Sequence, residues 1–174
     1  QPKTAATAWI TIGRMRREAG QLALAVEAVR QGHTADPMSQ GPLILALSIA
    51  GDAPAEIHPL LKQAMDGRVP PELRLAYARH LISLPQPVEA LRQLTRLNTE
   101  HPGFADGWLV HGLLLQDASK IAEAEQHLQR YINLVKASQD KDQQNGLSEA
   151  FMGQHQQQHH QGDQGLVGPA LRSS

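Results

Sequence analysis

Cysteine is absent from this chain of 174 residues. Its absence excludes disulfide bonds, thiolate metal sites and a cysteine nucleophile, and leaves the redox compartment open. Aromatic residues make up only 3% of the sequence, which argues against an aromatic-rich β-sandwich. No apolar run reaches the roughly 18 residues that a membrane-spanning helix requires.

An excess of charge of one sign is also lacking. The chain has 16 Lys and Arg against 17 Asp and Glu, for a formal net charge of −1. This balance argues against a dedicated nucleic-acid binder, which normally carries a basic surplus. The first residue is Gln1 and no leader pattern follows it, so we expect a fragment or a processed product. With 41% apolar residues, the chain is long enough for one domain with a substantial core.

The sequence does contain an internal repeat with a period of about 34 residues. Its frame divides residues 1–138 into units 6–39, 40–70, 71–104 and 105–138, of which the second is degenerate. Three of the units share a spaced signature, carried by Trp9, Ile12, Gly13, Ala25, Val29 and Pro37, then by Ala78, Ala90, Leu94 and Pro102, and then by Trp108, Gly112, Ala124 and Leu128.

Each unit reads as two helices. In the first, apolar residues follow a helical period up to Gly20, and a second helix ends at Asp36, since Pro37 disfavours helical geometry in the residue before it. Gly13 and Ala25 are expected where the two antiparallel helices cross closely, because a larger side chain would push the backbones apart. Equivalent pairs are Ala78 with Ala90 and Gly112 with Ala124.

The composition changes after residue 138. Residues 139–174 contain nine Gln, three His and five Gly, with only eight apolar residues. Such a segment buries too little surface to offset its ordering entropy, so we expect it to be mostly disordered. Residues 146–154 are an exception, since they resemble the opening of a further, truncated repeat.

The signature resembles that of the tetratricopeptide repeat almost place for place. Within this family, residues 101–116 look most like long bacterial proteins of the cell envelope. The resemblance implies an all-α fold, a right-handed α-solenoid of antiparallel helix pairs, with a concave groove that binds a peptide or a partner protein. It implies no enzyme activity and no cofactor.

The groove of such a fold is lined by the first helix of each pair. Arg14 and Arg17 lie three residues apart on one exposed helix face, and Arg79 falls in the third unit where Arg14 falls in the first. Guanidinium groups bind carboxylates in a bidentate fashion, so an acidic partner is favoured. The alternative is that these arginines are ordinary surface charge. The groove candidates are Ile10, Arg14, Arg17, Leu75, Arg79, Leu109, Leu113 and Gln116.

Histidine provides the only weak sign of other chemistry. His155 and His159 are four residues apart and could share a metal on a helix, but a chance cluster in a polar tail is the better interpretation, so no metal site is predicted. His111 falls on the packing side of its helix and is interpreted as a buried, hydrogen-bonded residue. No catalytic motif occurs.

Two functions remain open. The first is a non-enzymatic scaffold that binds a peptide or protein in its groove. The alternative is a repeat arm that serves as spacer and docking surface in a larger enzyme or envelope assembly. The resemblance favours the bacterial periplasm or cell envelope over the cytoplasm, and a protein or peptide partner over nucleic acid.

Overall fold

A computed structural model describes residues 1–162, except for the side chains of residue 54 and residues 158–162. The described chain is helical throughout, without strands. The eight helices are α1 (Pro2–Glu18), α2 (Leu22–Ala35), α3 (Gly41–Ile49), α4 (Pro54–Met65), α5 (Pro71–Ser83), α6 (Pro87–Glu100), α7 (Ala105–Asp117) and α8 (Ile121–Gly162).

The chain divides into two units between residues 131 and 132, a boundary that falls within α8. In the first unit, α1 pairs with α2, α3 with α4 and α5 with α6, and α7 lies against α8 at Gly112. The first helices of the pairs, α1, α3, α5 and α7, also pack side by side. The predicted all-α solenoid of helix pairs is therefore confirmed. The degenerate second unit also contains a helix pair, α3 and α4.

Prolines and turns place the helix boundaries. Proline occupies the first turn of α1, α3, α4, α5 and α6, where its missing N–H costs no hydrogen bond. The ends of α1, α5 and α7 share one turn, in which an N–H bonds the carbonyl five residues earlier. These bonds join Gln21 to Arg16, Gln86 to Leu81 and Lys120 to Leu115. Gly20 and Ser119 adopt positive φ angles in two of these turns.

Helix α8 continues to Gly162, past the end of the fourth sequence unit. The physical reason lies at position 136, where the repeat frame places Lys136 instead of the proline found at Pro37 and Pro102. Without that stop, a segment rich in Gln, Lys and Glu retains its helical preference. The predicted repeat start at 146–154 lies inside this helix, and residues 163–174 lie outside the described chain.

The core of the first unit lies between the helix pairs. One cluster joins α2, α3, α4 and α5 around residues such as Ile49, Leu61 and Tyr77, all fully buried. A second joins α5, α6 and α7 around Leu94 and Leu97. The degenerate second unit therefore contributes fully to the core.

The predicted close crossings are present. A Cβ atom added at Gly13 would lie 2.7 Å from Leu45 Cδ2 and 3.7 Å from the Ala25 carbonyl oxygen. One added at Gly112 would lie 2.9 Å from Leu128 Cγ and 3.3 Å from the Ala124 carbonyl oxygen. Ala78 and Ala90 are fully buried at the equivalent places.

Substitution of Gly112 by Val should therefore destabilise the protein by about 2 kcal/mol, because the branched side chain overpacks the α7–α8 crossing. Urea denaturation measures this loss. Gly146→Val is the matched control, since Gly146 lies in a helix with nothing within 4 Å of its Cβ position. Equal effects of the two substitutions would contradict close packing at Gly112.

Two arginines hold the C-terminal end of α4. Arg74 is fully buried on α5. Its Nη1 donates to the Met65 carbonyl at 2.9 Å and to Gln93 Oε1 at 2.7 Å, and its Nη2 donates to the Gly67 carbonyl at 3.0 Å. The last carbonyls of a helix have no partner within it, and cations are favoured near them. Arg74 therefore satisfies groups that the helix end leaves open.

Arg96 of α6 also binds the C-terminal end of α4. Its guanidinium donates to the carbonyls of Met65, Asp66 and Gly67, and its Nε donates to Glu100 Oε1 at 2.8 Å. The hydrogen bond from Arg96 is the main cause that lowers the pKa of Glu100. Helices α4, α5 and α6 are thus joined by one polar cluster. In the repeat frame, Arg74 stands where units one and four have Trp9 and Trp108.

Candidate functional site

The exposed side of the first helices is the candidate site. Along α1, Thr11, Arg14 and Glu18 are exposed at intervals of three and four residues, so they share one face. Exposed faces also occur on α3 and α5. We call this area the first-helix surface, defined by Thr11, Arg14, Arg17, Ile44, Ser48, Ala76 and Arg79.

A depression of about 410 Å³ lies between α1 and α3 on this surface. We call it the arginine pocket, because Arg14 and Arg17 both line it, as the sequence suggested for neighbouring residues on one face. Its lining is completed by Glu18, Ile44, Leu45 and Ser48. The pocket thus combines two cations with an apolar wall.

The guanidinium groups of Arg14 and Arg17 are not engaged by the described residues. Neither Arg14 nor Arg17 makes a hydrogen bond or an ion pair with any residue that the structure describes. By contrast, Arg74 and Arg96 are held by several carbonyl oxygens and by Glu100. The cations of the arginine pocket are therefore available to bind carboxylates from outside the chain.

A second depression of about 220 Å³ lies on the other side of α3, against α5. We call it the apolar pocket, since aliphatic side chains dominate its lining. The lining residues are Gln40, Ile44, Leu47, Glu72, Leu73 and Ala76. Ile44 is 53% exposed and belongs to both pockets.

Three predicted apolar groove residues lie elsewhere. Leu75 is only 6% exposed and packs in the core cluster with Val110. Ile10 is half-buried, and its Cδ1 lies against Gly41 of α3. Leu109 is half-buried as well. For Ile10 and Leu75, the first helix of the following pair covers this place in the repeat.

The remaining candidates are exposed but lie outside both pockets. Arg79 lies on the same exposed face of α5 as Ala76, less than one helical turn further along. Leu113 is 45% exposed on α7, and Gln116 is exposed nearby. The structure therefore brings Arg14 and Arg17 together in one pocket and leaves Arg79 outside it.

Ile44 is the functional candidate that the sequence reasoning missed. It lies in α3, which is apolar on all sides, so hydrophobic periodicity does not show which residue faces outward. Burial shows the register of α3, because Ala46 is buried in α3 as the small residues Gly13, Ala78 and Gly112 are in their helices. Ile44 lies two residues before Ala46, as Thr11 lies before Gly13 and Ala76 before Ala78. All three of these residues are exposed.

A buried histidine lies apart from this surface. His111 is 8% exposed, and its Nδ1 lies 3.1 Å from Nδ2 of buried Asn98. Since an amide N–H donates, Nδ1 accepts, and the ring is neutral. Burial, followed by repulsion from the His127 ring 4.3 Å away, lowers the pKa of His111 to about 4. The interpretation of His111 as an interior residue is confirmed.

The histidines of the tail form no metal site in the described chain. His155 stacks edge-on against Phe151, with ring centroids 5.1 Å apart. His159 lies among the residues whose side chains are not described. No group of three potential metal-binding side chains occurs within the residues that the structure describes.

Similarity to solved structures identifies the class of fold. The structure is similar to the crystal structure of MamA, with a TM-score of 0.61 and 14% identity over 78% of this chain and 81% of that one. A second MamA crystal structure has a TM-score of 0.55 at 14% identity, over 95% of this chain and 98% of that one.

The structure is also similar to PilF of Pseudomonas aeruginosa, with a TM-score of 0.56 and 18% identity over 76% of this chain and 62% of that one. MamA and PilF are tetratricopeptide-repeat proteins, so this chain has the tetratricopeptide-repeat fold. No family model and no curated sequence matches it.

The narrower resemblance to proteins of the cell envelope stays a prediction. None of the helices in the described part combines the length and the apolarity that membrane crossing requires.

Proposed function

We propose that this protein is a non-enzymatic interaction module that binds an acidic segment of a partner protein on its first-helix surface. The observation that carries the proposal is the arginine pocket, where Arg14 and Arg17 lie side by side without partners among the residues that the structure describes. Guanidinium groups are suited to bidentate hydrogen bonds with carboxylates. The fold supports the proposal, because helical-repeat proteins present extended binding surfaces.

Ile44 adds affinity that the two charges alone do not provide. Exposed ion pairs contribute only up to about 1 kcal/mol each, because water screens them. The apolar wall of the pocket excludes part of that water and offers surface to the methylene groups of a bound acidic side chain. An acidic segment with neighbouring apolar residues therefore suits this surface better than a purely charged one.

The proposal predicts a charge-dependent preference between two fluorescent peptides of twelve residues. They have the same Ser and Leu residues and amidated C-termini, and carry either four Glu or four Lys. The Glu peptide should bind at least tenfold more tightly at low salt, which corresponds to about 1.4 kcal/mol. The double variant Arg14→Glu/Arg17→Glu should abolish or reverse this preference. Fluorescence anisotropy measures each dissociation constant.

The matched control is Arg68→Glu/Arg92→Glu, which makes the same change of net charge outside both pockets. Arg68 is exposed between α4 and α5, and the side chain of Arg92 is 72% exposed on α6. The control should keep the preference for the Glu peptide. If both double variants lose it equally, net charge and not the arginine pocket determines binding, and the proposal fails.

A further inference from the structure

We infer that the first-helix surface recognises an extended segment in which a carboxylate side chain and an apolar side chain stand three residues apart. The inference rests on the proposed function, since it describes the ligand of the same surface. It goes further because it specifies the spacing of two side chains. The inference is carried by the position of the two pockets: the arginine pocket and the apolar pocket lie on opposite sides of α3, and Ile44 lines both.

The distance between the pockets follows from helix geometry. One pocket lies between α1 and α3 and the other between α3 and α5, so their centres are about one helix spacing apart, roughly 9 Å. On α3 and at its N-cap, the arginine pocket is lined by Ile44, Leu45 and Ser48, and the apolar pocket by Gln40, Ile44 and Leu47. This offset of roughly two residues adds about 3 Å along the axis.

The two displacements combine to about 10 Å between pocket centres. An extended chain advances about 3.3 Å per residue, so three residues span this distance. In a regular β-strand, side chains three residues apart point to opposite faces, so a β-strand does not place both side chains in the two pockets. A segment with polyproline II geometry has three residues per turn, so it presents every third side chain on one face.

The chemistry of the linings assigns each side chain to one pocket. The arginine pocket has two cations, Arg14 and Arg17, against the one carboxylate of Glu18, so its net positive charge attracts a carboxylate. The apolar pocket contains Glu72, which repels a second carboxylate, and its remaining surface is mainly that of Leu47, Leu73 and Ala76. An aliphatic side chain of the ligand therefore occupies the apolar pocket.

The size of the pockets favours an extended ligand over a helical one. At about 410 and 220 Å³, the pockets accommodate a few side chains, whereas an α-helix with its side chains is about 10 Å across. A helix that used the same anchors would need them seven residues apart, since it advances only 1.5 Å per residue. The two modes of binding therefore predict different spacings.

Selection from a phage-displayed library of random twelve-residue peptides on the intact chain tests the inference. Among the selected peptides, pairs of one acidic and one aliphatic residue should be enriched at a spacing of three over all other spacings, by at least fivefold. Selection on Arg14→Glu/Arg17→Glu should lose the acidic residue and keep the aliphatic one. Selection on Ala76→Glu, which adds a carboxylate to the apolar pocket, should lose the aliphatic residue.

The matched control for Ala76→Glu is Ala55→Glu, since Ala55 is an exposed alanine in α4 outside both pockets. This control should select the same pairs as the unchanged protein. Acidic peptides that depend on the arginines but show no preferred spacing would overturn this inference alone. A preferred spacing of seven would overturn the extended mode, and a failure to select any peptide would overturn both the inference and the proposed function.

Discussion

Substitution of Arg74 by Ala should lower the free energy of unfolding by about 3–5 kcal/mol. The side chain is fully buried and donates to the carbonyls of Met65 and Gly67 and to the amide of Gln93. Its removal leaves a cavity and an unpaired buried acceptor on Gln93, and both effects destabilise the folded state. Urea denaturation followed by circular dichroism measures the loss.

Two further variants separate the causes. Arg74→Met restores most of the packed volume without any donor, so it should recover about half of the loss, and the remainder reports the hydrogen bonds. Arg92→Ala removes an exposed arginine that pairs only with Glu89 on the same helix, and it should change stability by no more than about 0.5 kcal/mol. A loss below 1 kcal/mol for Arg74→Ala would contradict the role assigned to this cluster.

Acidification from pH 7 to pH 4.5 should destabilise the fourth repeat by about 2 kcal/mol through His111 alone. The pKa of this imidazole is about 4 in the folded protein, against an ordinary value of 6.5. Below pH 6.5 the unfolded chain therefore takes up a proton that the folded protein does not, and stability falls until the pH approaches 4. Each pKa unit corresponds to about 1.36 kcal/mol.

The control for this effect is His111→Gln, whose amide can still accept a hydrogen bond from Asn98 but does not titrate. Other histidines add their own dependence, since burial also lowers the pKa of His80. The informative quantity is therefore the difference between the two proteins. The unchanged protein should lose about 2 kcal/mol more than the variant over this pH range, and parallel losses would show that His111 is not buried as a neutral group.

The sequence predicted those features of the fold that depend on local patterns. Apolar periodicity and prolines located the helix pairs, and Gly13, Ala25, Gly112 and Ala124 marked the close crossings. The lack of a proline at position 136 is also visible in the sequence, and helix α8 continues past this position to Gly162.

The candidate site was less predictable, because it depends on packing between units. Arg14 and Arg17 were found since they lie on one helix face. Leu75 packs against Val110 of α7, a contact that the sequence does not show, because the repeat frame gives the position of a residue along its helix but not what packs against it. Ile44 was missed because α3 is apolar all round, so only tertiary packing decides which of its side chains is exposed.

The arginine cluster at the end of α4 was also unpredicted, and it has a consequence for how the array unfolds. In repeat proteins the free energy of unfolding is close to a sum of terms for each repeat and for each interface between neighbours. Arg74 and Arg96 belong to the third repeat but bind carbonyl groups at the end of the second. They therefore stabilise the interface between the second and third repeats, and this interface supports the second repeat, whose signature is degenerate.

Cooperativity between these repeats should consequently depend on two side chains. With the cluster intact, the second and third repeats exchange their amide hydrogens as one unit, although the second would be the weaker in isolation. Without it, the second repeat opens first, and a single unfolding transition separates into two. The degenerate repeat is thus stabilised through its neighbour, and its own sequence is correspondingly less constrained by the need to fold.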